Sequence, residues 1–286
     1  RNGGGRRSRL AQSESPLTQS ADDLLKGGDI AGAFALLKER VRANPAAAGD
    51  RVFLFQMLSI LGDWERALTQ LNTAGELDPS TLLMVQAYRE VLQAEALRAS
   101  VFRGERAPLV FGEPQHWLGL LLHSAQLAAE GNYDQADAVR DEAFEAAPAT
   151  SGTLNGEPFE WIADADTRLG PCLEVIVEGR YYWLPFANLK SVEIEAPSDL
   201  RDLVWLPATL TFANGGQVVS FIPTRYPGSE LVEDSAIRLA RRTDWENRSA
   251  GTAVGLGQRM LATDDSEYPL LEVRSLLLNS APEAGG

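Results

Sequence analysis

The stretch Gly62-Asp63-Trp64-Glu65-Arg66-Ala67-Leu68, with Leu71, Leu77 and the closing pair Asp78-Pro79, decides the fold. Gly62 can end one helix in the left-handed region without a steric penalty. Asp63 follows as an N-cap, its carboxylate placed to accept from free backbone N–H groups. Trp64, Ala67, Leu68 and Leu71 recur at helical spacing and make one apolar face. Pro79 ends the helix and drives Asp78 out of the α region.

The same arrangement occurs twice more. Gly28-Asp29-Ile30 leads through Ala33, Phe34 and Leu37 to Asn44-Pro45, and Gly131-Asn132-Tyr133 leads through Ala136, Val139 and Ala143 to Ala147-Pro148. The Gly-to-Pro span is 17 residues each time (28 to 45, 62 to 79, 131 to 148). The first two glycines lie 34 residues apart and the next two 69 apart, about two repeats. A 34-residue period with Gly at the turn, Ala at the close-packing position and Pro at the end is the tetratricopeptide pattern of stacked helical hairpins. The third unit is less regular. The interval before it is filled by one long predicted helix, from Thr81 to about Phe102, capped by Ser80. Asp50 is expected to cap a helix from Arg51 to Leu61, and a further helix is predicted from Gln115 to Glu130. Such stacks leave a concave groove suited to a peptide or helix.

After Pro148 the texture changes. Residues 149–153 read as a linker, and from Leu173 the apolar period shifts towards two, with β-branched and aromatic residues. Leu173–Val177 and Arg180–Leu184 flank the two-residue turn Glu178-Gly179, and Trp205–Ala213 and Gln217–Ile222 flank Asn214-Gly215-Gly216. Both are hairpin signals. Val192–Ala196 reads as a strand, Glu233–Ala240 as a short helix, and Thr252–Thr263 and Leu270–Leu278 as strand-like or mixed segments. The predicted fold class is α+β: tetratricopeptide-like helical hairpins over 16–150, then a mainly antiparallel β domain with a short helix over 151–286. Residues 1–15 contain the Gly/Arg tract Arg1–Arg9 and read as a disordered tail or an expression remnant.

The chain has 286 residues and a formal net charge of −14. Residues 16–150 carry 19 acids and 11 bases (−8), residues 151–286 carry 20 and 11 (−9), and the first fifteen carry one acid and four arginines (+3). An acidic body repels a phosphate backbone, so no nucleic-acid partner is expected. No apolar run is long enough to span a bilayer, and no signal peptide is visible, so no membrane partner is expected and the default location is cytoplasmic. The lone Cys172 rules out a disulfide within the chain and any multi-cysteine zinc site.

Catalytic and metal patterns are thin. His116 and His123 lie seven apart on one predicted helix, with no third ligand nearby to make a zinc site. Asp164, Asp166 and Arg168 can be read as an acid pair at an active site, but no calcium-loop pattern follows. An ion-paired turn is the simpler reading. Gly251–Gly257 is glycine-rich without the Lys-Ser/Thr of a phosphate loop, and no G-x-S-x-G elbow occurs. Neither a catalytic set nor a cofactor is therefore assigned. The aromatics are more informative. Trp161, Tyr181, Tyr182, Trp183 and Trp205, with Arg168, are the candidate partner-binding residues, because Trp, Tyr and Arg dominate interface energetics. Strand parity puts Tyr181 and Trp183 on one face and Tyr182 on the other. One face is expected to be core, and the other, if exposed, a partner surface.

Several of these runs together resemble the ImpE family, also called SciE or TagJ. They are Trp161-Ile162-Ala163-Asp164-Ala165-Asp166 with Arg168-Leu169-Gly170-Pro171, then Gly179–Pro185, Arg201–Trp205 and Pro223–Pro227. Phe55–Leu58 with Gly62–Ala67 resembles the family's N-terminal signature, and the resemblance spans about residues 17–278. It implies an accessory component of a bacterial type VI secretion system. The implied role is a non-enzymatic adaptor that binds the N-terminal helix of the small sheath subunit. It also implies a link to the ClpV-type AAA+ ATPase that recycles the sheath. The residues leave two other readings open: an enzyme built on Asp164, Asp166 and Arg168, and a chaperone-like module reading extended peptides along the helical groove.

Overall fold

The computed structural model describes residues 20–112 and 115–279. Of the sequence segments above, the Gly/Arg tract lies outside the described residues. Seven helices come first: α1 Ala21–Lys26, α2 Ile30–Ala43, α3 Ala48–Ile60, α4 Trp64–Leu77, α5 Leu82–Phe102, α6 His116–Ala129 and α7 Tyr133–Ala146. The turn device works as its chemistry dictates. Gly28, Gly62 and Gly131 have φ of +84°, +72° and +83°. Asp29 accepts from the Gly32 N–H, and Asp63 from the Arg66 N–H. Asn132 makes no such side-chain bond, in line with the looser third unit.

Two predicted caps are corrected. Asp50 does not cap α3; the helix begins earlier, after Ala47, and Asp50 sits in its first turn as the ion partner of Arg40. Ser80 does not cap α5; it lies in a 3-10 turn over Pro79–Thr81, where Asp78 accepts the Ser80 N–H at 2.9 Å. Pro79 favours that turn because its fixed φ suits a first helical position and its missing N–H is not needed there.

Thirteen strands among the described residues follow. Eight make one antiparallel sheet, ordered β2-β1-β13-β6-β7-β8-β4-β5. In chain order they are β1 Gly152–Leu154, β2 Glu157–Phe159, β4 Cys172–Val177, β5 Arg180–Pro185, β6 Leu189–Ile194, β7 Trp205–Phe212, β8 Gln217–Pro223 and β13 Ser275–Leu278. β3 Ile162–Asp164, β11 Met260–Thr263 and β12 Glu267–Pro269 form a three-stranded sheet, and β9 Thr243–Asn247 pairs with β10 Ala253–Gly257. The predicted short helix shrinks to α8, Ser235–Arg238. Both predicted hairpins are present: Glu178 and Gly179 take φ of +48° and +71°, and Asn214 accepts the Gly216 N–H in the second turn. The predicted linker is a strand from Gly152 onward, paired with β13 across more than a hundred residues.

The sheet alternates cleanly. Cys172, Ile176, Tyr181, Trp183 and Trp205 point into a cluster shared with α1 to α6. Leu173, Val175, Val177, Leu184, Leu206 and Ile222 point the other way, into a second core with Ile162, Leu261 and Leu270. The seven N-terminal helices therefore end at Ala146 and the strands begin at Gly152, yet one hydrophobic cluster runs through both halves. That cluster packs the sheet against the helices. Trp205 packs on Trp64 and Tyr88 with ring centroids 5.7 and 6.0 Å apart, and Phe221 packs on Tyr88 at 5.1 Å. Residues Leu54 to Ile60 of α3 are all buried.

Two arginines fasten the halves at helix ends. Arg225 donates to the Ile60 and Ser59 carbonyls at 3.0 and 3.3 Å, at the C-terminus of α3. Arg241 donates to those of Leu25 and Lys26 at 2.7 and 3.0 Å, at the C-terminus of α1. Helix C-termini carry unsatisfied carbonyls and a partial negative charge, so a guanidinium there satisfies both.

Candidate functional site: an apolar groove beside Trp161

The groove starts from how α7 ends. Ala147 leaves the helix at φ −73°, ψ 139°, and Pro148 carries the chain on in extended form. Phe144, Ala147 and Pro148, at the end of α7, line the groove together with Trp161, Ala163 and Ala165, on and beside the edge strand β3. Pro171 and Ala262 contribute to an opening of about 410 Å³. Trp161 is 41% exposed and Phe144 36%, so two large apolar side chains that line the opening face water. Gly170 has φ of +48°, and a Cβ there would lie 2.3 Å from the Phe144 ring. Only glycine satisfies both constraints.

The margins are acidic. Asp141, Glu142 and Glu145 are exposed on α7 next to Phe144, and Glu160 is exposed next to Trp161. Asp264 accepts the Glu160 and Trp161 N–H groups at 2.8 and 3.5 Å, which fixes the backbone carrying Trp161.

Beneath the groove lies a buried ion network. The Asp164 carboxylate accepts from the Tyr226 hydroxyl at 3.0 Å and from the Asp166 N–H at 2.9 Å, and it pairs with Arg259. Arg259 also pairs with Glu174, which takes a second guanidinium from Arg98 at 2.7 Å. Asp166 takes the Arg168 fork at 2.9 and 2.6 Å and the Gly255 N–H at 3.0 Å. Burial pushes the Asp164 carboxyl up to about 6, with Arg259 offsetting only part of the cost. Burial also opposes ionisation of Glu174, but Arg98 and Arg259 together outweigh it and hold that carboxyl at about 2. Burial pushes the Cys172 thiol far up, away from the thiolate form. The acid pair that suggested catalysis is thus engaged by arginines, Tyr226 and backbone: Asp164 lines the groove, but its oxygens accept from the Asp166 N–H, the Tyr226 hydroxyl and Arg259. Among the described residues no three His, Cys, Asp or Glu side chains gather as metal ligands.

The six aromatic and arginine candidates divide. Trp161 lines the groove. Arg168 is half-buried against the Phe102 ring, its charge centre 4.6 Å from the centroid. Tyr181, Trp183 and Trp205, named as partner-binding candidates, are fully buried: theirs is the core face. Their polar atoms turn inward: the Trp183 indole donates to the Tyr181 hydroxyl at 2.7 Å, the hydroxyl to Glu174, and the Trp205 indole to Glu95 at 2.7 Å. Tyr182, on the opposite face, is half-buried under Phe111 at 4.3 Å. Sequence reading missed Phe144, Glu174, Arg225 and Arg259. Glu174 did carry a signal, a single charge inside the apolar strand Leu173–Val177 at a position whose parity points inward.

A family model described as ImpE protein matches residues 156–277. Over 258 residues, 90% of this chain and 90% of the relative, the sequence is 50% identical to the type VI secretion system accessory component TagJ of Pseudomonas aeruginosa. The solved structure of protein VPA1032 from Vibrio parahaemolyticus superposes with a TM-score of 0.82 at 25% identity, covering 90% of this chain and 97% of that one.

Proposed function

The chain belongs to the ImpE family of type VI secretion accessory components, and from that premise we propose that it is a non-enzymatic cytoplasmic adaptor. It holds the N-terminal helix of the small sheath subunit and assists the link to the ClpV-type AAA+ ATPase during sheath recycling. The groove beside Trp161 is the docking site. The observation that carries this reading is the pairing of Trp161 and Phe144, two exposed aromatics across an apolar gap with acids on both margins. An amphipathic helix fills such a gap with anchors at i, i+3 or i+4, and i+7. Basic residues flanking its apolar stripe meet the acidic margins and speed encounter. No cofactor, nucleic acid or membrane enters this role.

Titration calorimetry of the full chain against a synthetic peptide of the sheath subunit's N-terminal helix tests it. The full chain is the right object, because removing the helices would expose Trp183 and Trp205. The expected result is binding that weakens at least tenfold in Trp161→Ala and weakens further with salt. Equal binding by Trp161→Ala would move the site elsewhere, and no binding at tens of micromolar would remove the sheath helix as partner.

A further inference from the structure

The free edge of β3 adds a requirement that the Trp161 and Phe144 side chains do not. In an antiparallel pair, residues alternate between those that exchange backbone hydrogen bonds with the neighbouring strand and those that turn them away. Ala165 donates to the Met260 carbonyl at 3.0 Å, and in the same register Ala163 faces Ala262 on β11. Ile162 and Asp164 therefore turn their N–H and C=O groups to the outer side, where no strand among the described residues pairs with β3. The Asp164 N–H is taken there by the Gly170 carbonyl at 2.7 Å. The N–H and C=O of Ile162 make no hydrogen bond among the described residues. Ile162 is 4% exposed and its side chain belongs to the second core, so what it presents to the opening is this backbone edge.

A buried residue with both backbone groups unpaired calls for a partner that both donates and accepts. The body of an α-helix cannot supply one, because its own groups bond to each other four residues apart. A helix N-terminus offers spare donors and a C-terminus spare acceptors. One extended residue offers both, and opposite Ile162 it exchanges two bonds in the antiparallel manner. The Gly170 carbonyl occupies the edge at Asp164, so the added segment is short. Its charge follows from the rim. On α7, Arg140 pairs with Asp137 and Asp141, while Glu142 and Glu145 are exposed and form no ion pair among the described residues. Glu160 is likewise exposed, and no Lys or Arg of the described residues lines the opening.

We propose that the groove takes its partner in two conformations at once: an amphipathic helix against Trp161 and Phe144, and, directly flanking it, a short basic extended segment that adds to the edge of β3 at Ile162. This rests on the reading of the groove as the sheath-helix site and specifies how the chain beside that helix is held.

Titration calorimetry of the full chain with two synthetic peptides tests it: the sheath subunit's N-terminal helix alone, and the same helix with its native flanking residues. A second form of the protein carries the α-hydroxy acid counterpart of isoleucine at position 162, which removes the N–H and keeps the side chain; circular dichroism checks its fold. The flanked peptide should bind the wild type at least tenfold more tightly than the bare helix, with a gain that shrinks between 50 and 500 mM NaCl. The ester form should lose at least fivefold in affinity for the flanked peptide and stay within twofold of wild type for the bare helix. Exchange of the Ile162 amide, read by NMR, should slow at least tenfold with the flanked peptide only. Equal affinity of the two peptides for the wild type overturns the proposal and leaves the sheath-helix reading standing, as does an ester form that binds the flanked peptide like wild type. Binding of the flanked peptide alone, lost in the ester form, keeps the added strand and removes the helix as the anchor. No binding of either peptide removes both.

Discussion

Arg98 on α5 and Glu174 on β4 form a bidentate pair, Nε to Oε1 at 2.7 Å and Nη2 to Oε2 at 3.2 Å, with both side chains buried. The pair joins a helix to a strand 76 residues later in the chain, and Arg259 and Tyr181 complete the carboxylate's shell. A buried carboxylate shared by two guanidiniums is a place where removing one partner is far worse than never having had the set. Glu174→Ala leaves Arg98 and Arg259 without their common anion. It should cost about 3–5 kcal/mol, read as a lowered urea midpoint. A variant within 1 kcal/mol of wild type would mean that water reaches these arginines and that the two halves are not locked here.

The carboxyls predict a stability profile with two limbs. The folded-state values of Glu174 and Asp137 are lowered to about 2, below their ordinary 4.5 and 3.8. For Asp137, burial is outweighed by Thr252, Ser249, Arg140 and the Gly251 N–H. Their contributions are full above the ordinary values and are lost as pH falls from there towards 2. Asp164 has the opposite sign. Its folded value of about 6 lies above 3.8, so its contribution is full below 3.8 and is lost as pH rises through 6. Urea unfolding between pH 3 and 8 should show stability gained on acidification from 7 towards 5, then lost below about 4.5. In Asp164→Asn the gain between 7 and 5 should vanish while the acid loss remains. If the variant keeps the gain, another group titrates there.

Arg225 and Arg241 perform the same task in different settings. Arg225 is buried and makes three carbonyl bonds, to Ser59, Ile60 and Arg238, whereas Arg241 is exposed at α1. Burial pushes the Arg225 guanidinium down to about 10, with Arg98 and Arg238 adding to it and Glu230 and Glu95 opposing it, and it is still charged at neutral pH. Arg225→Ala leaves the Ile60 and Arg238 carbonyls without this donor, while Ser59 keeps the Gly62 N–H, and should cost about 2–4 kcal/mol. Arg241→Ala, where water can substitute, should cost under about 1 kcal/mol. Thermal shifts of the two variants should differ in that order. Hydrogen exchange should place the loosening of Arg225→Ala at the end of α3.

Legibility followed the range of the interactions. The helical hairpins could be read because Gly, Asp and Pro act within four residues of where they sit, and the Glu178-Gly179 and Asn214–Gly216 turns for the same reason. β1, β2, β3 and β12 are three residues long and exist only because residues far along the chain pair with them, as β1 does with β13. Three residues carry no measurable period. At the site, strand parity placed Tyr181 and Trp183 together, but which face is covered was decided by α5, and no local pattern reports that. Trp161 could be named from its residue type, whereas its exposure depends on Phe144, Pro148 and Gly170 meeting across the turn after α7.

Trp161 and Trp183 therefore separate function from stability. Trp183 is fully buried, packs on Phe102 at 5.8 Å and donates to Tyr181. Trp183→Ala should cost about 3–5 kcal/mol through the cavity it leaves. Trp161 is 41% exposed, and its side chain has no hydrogen bond among the described residues. Trp161→Ala should change stability by less than about 1 kcal/mol while removing sheath-helix binding. Equal losses of stability in the two variants would mean that Trp161 is a core residue and the groove is closed in solution.

Gly170 offers the sharpest control of the groove's shape. At φ of +48° a non-glycine residue is strained, and a methyl there would meet the Phe144 ring at 2.3 Å. The cheapest relief is rotation of Phe144, which is already 36% exposed and can swing into the opening opposite Trp161. Gly170→Ala should thus cost about 1–2 kcal/mol and, separately, weaken sheath-helix binding by narrowing the gap. Gly170→Ala/Phe144→Ala removes the clash. It should recover the part of the stability loss that came from the ring but not the part that came from the backbone angle. It should not recover binding, because one of the two aromatic walls is gone. A double variant that regains full affinity would show that Phe144 only obstructs the site, and the anchor would then rest on Trp161 alone.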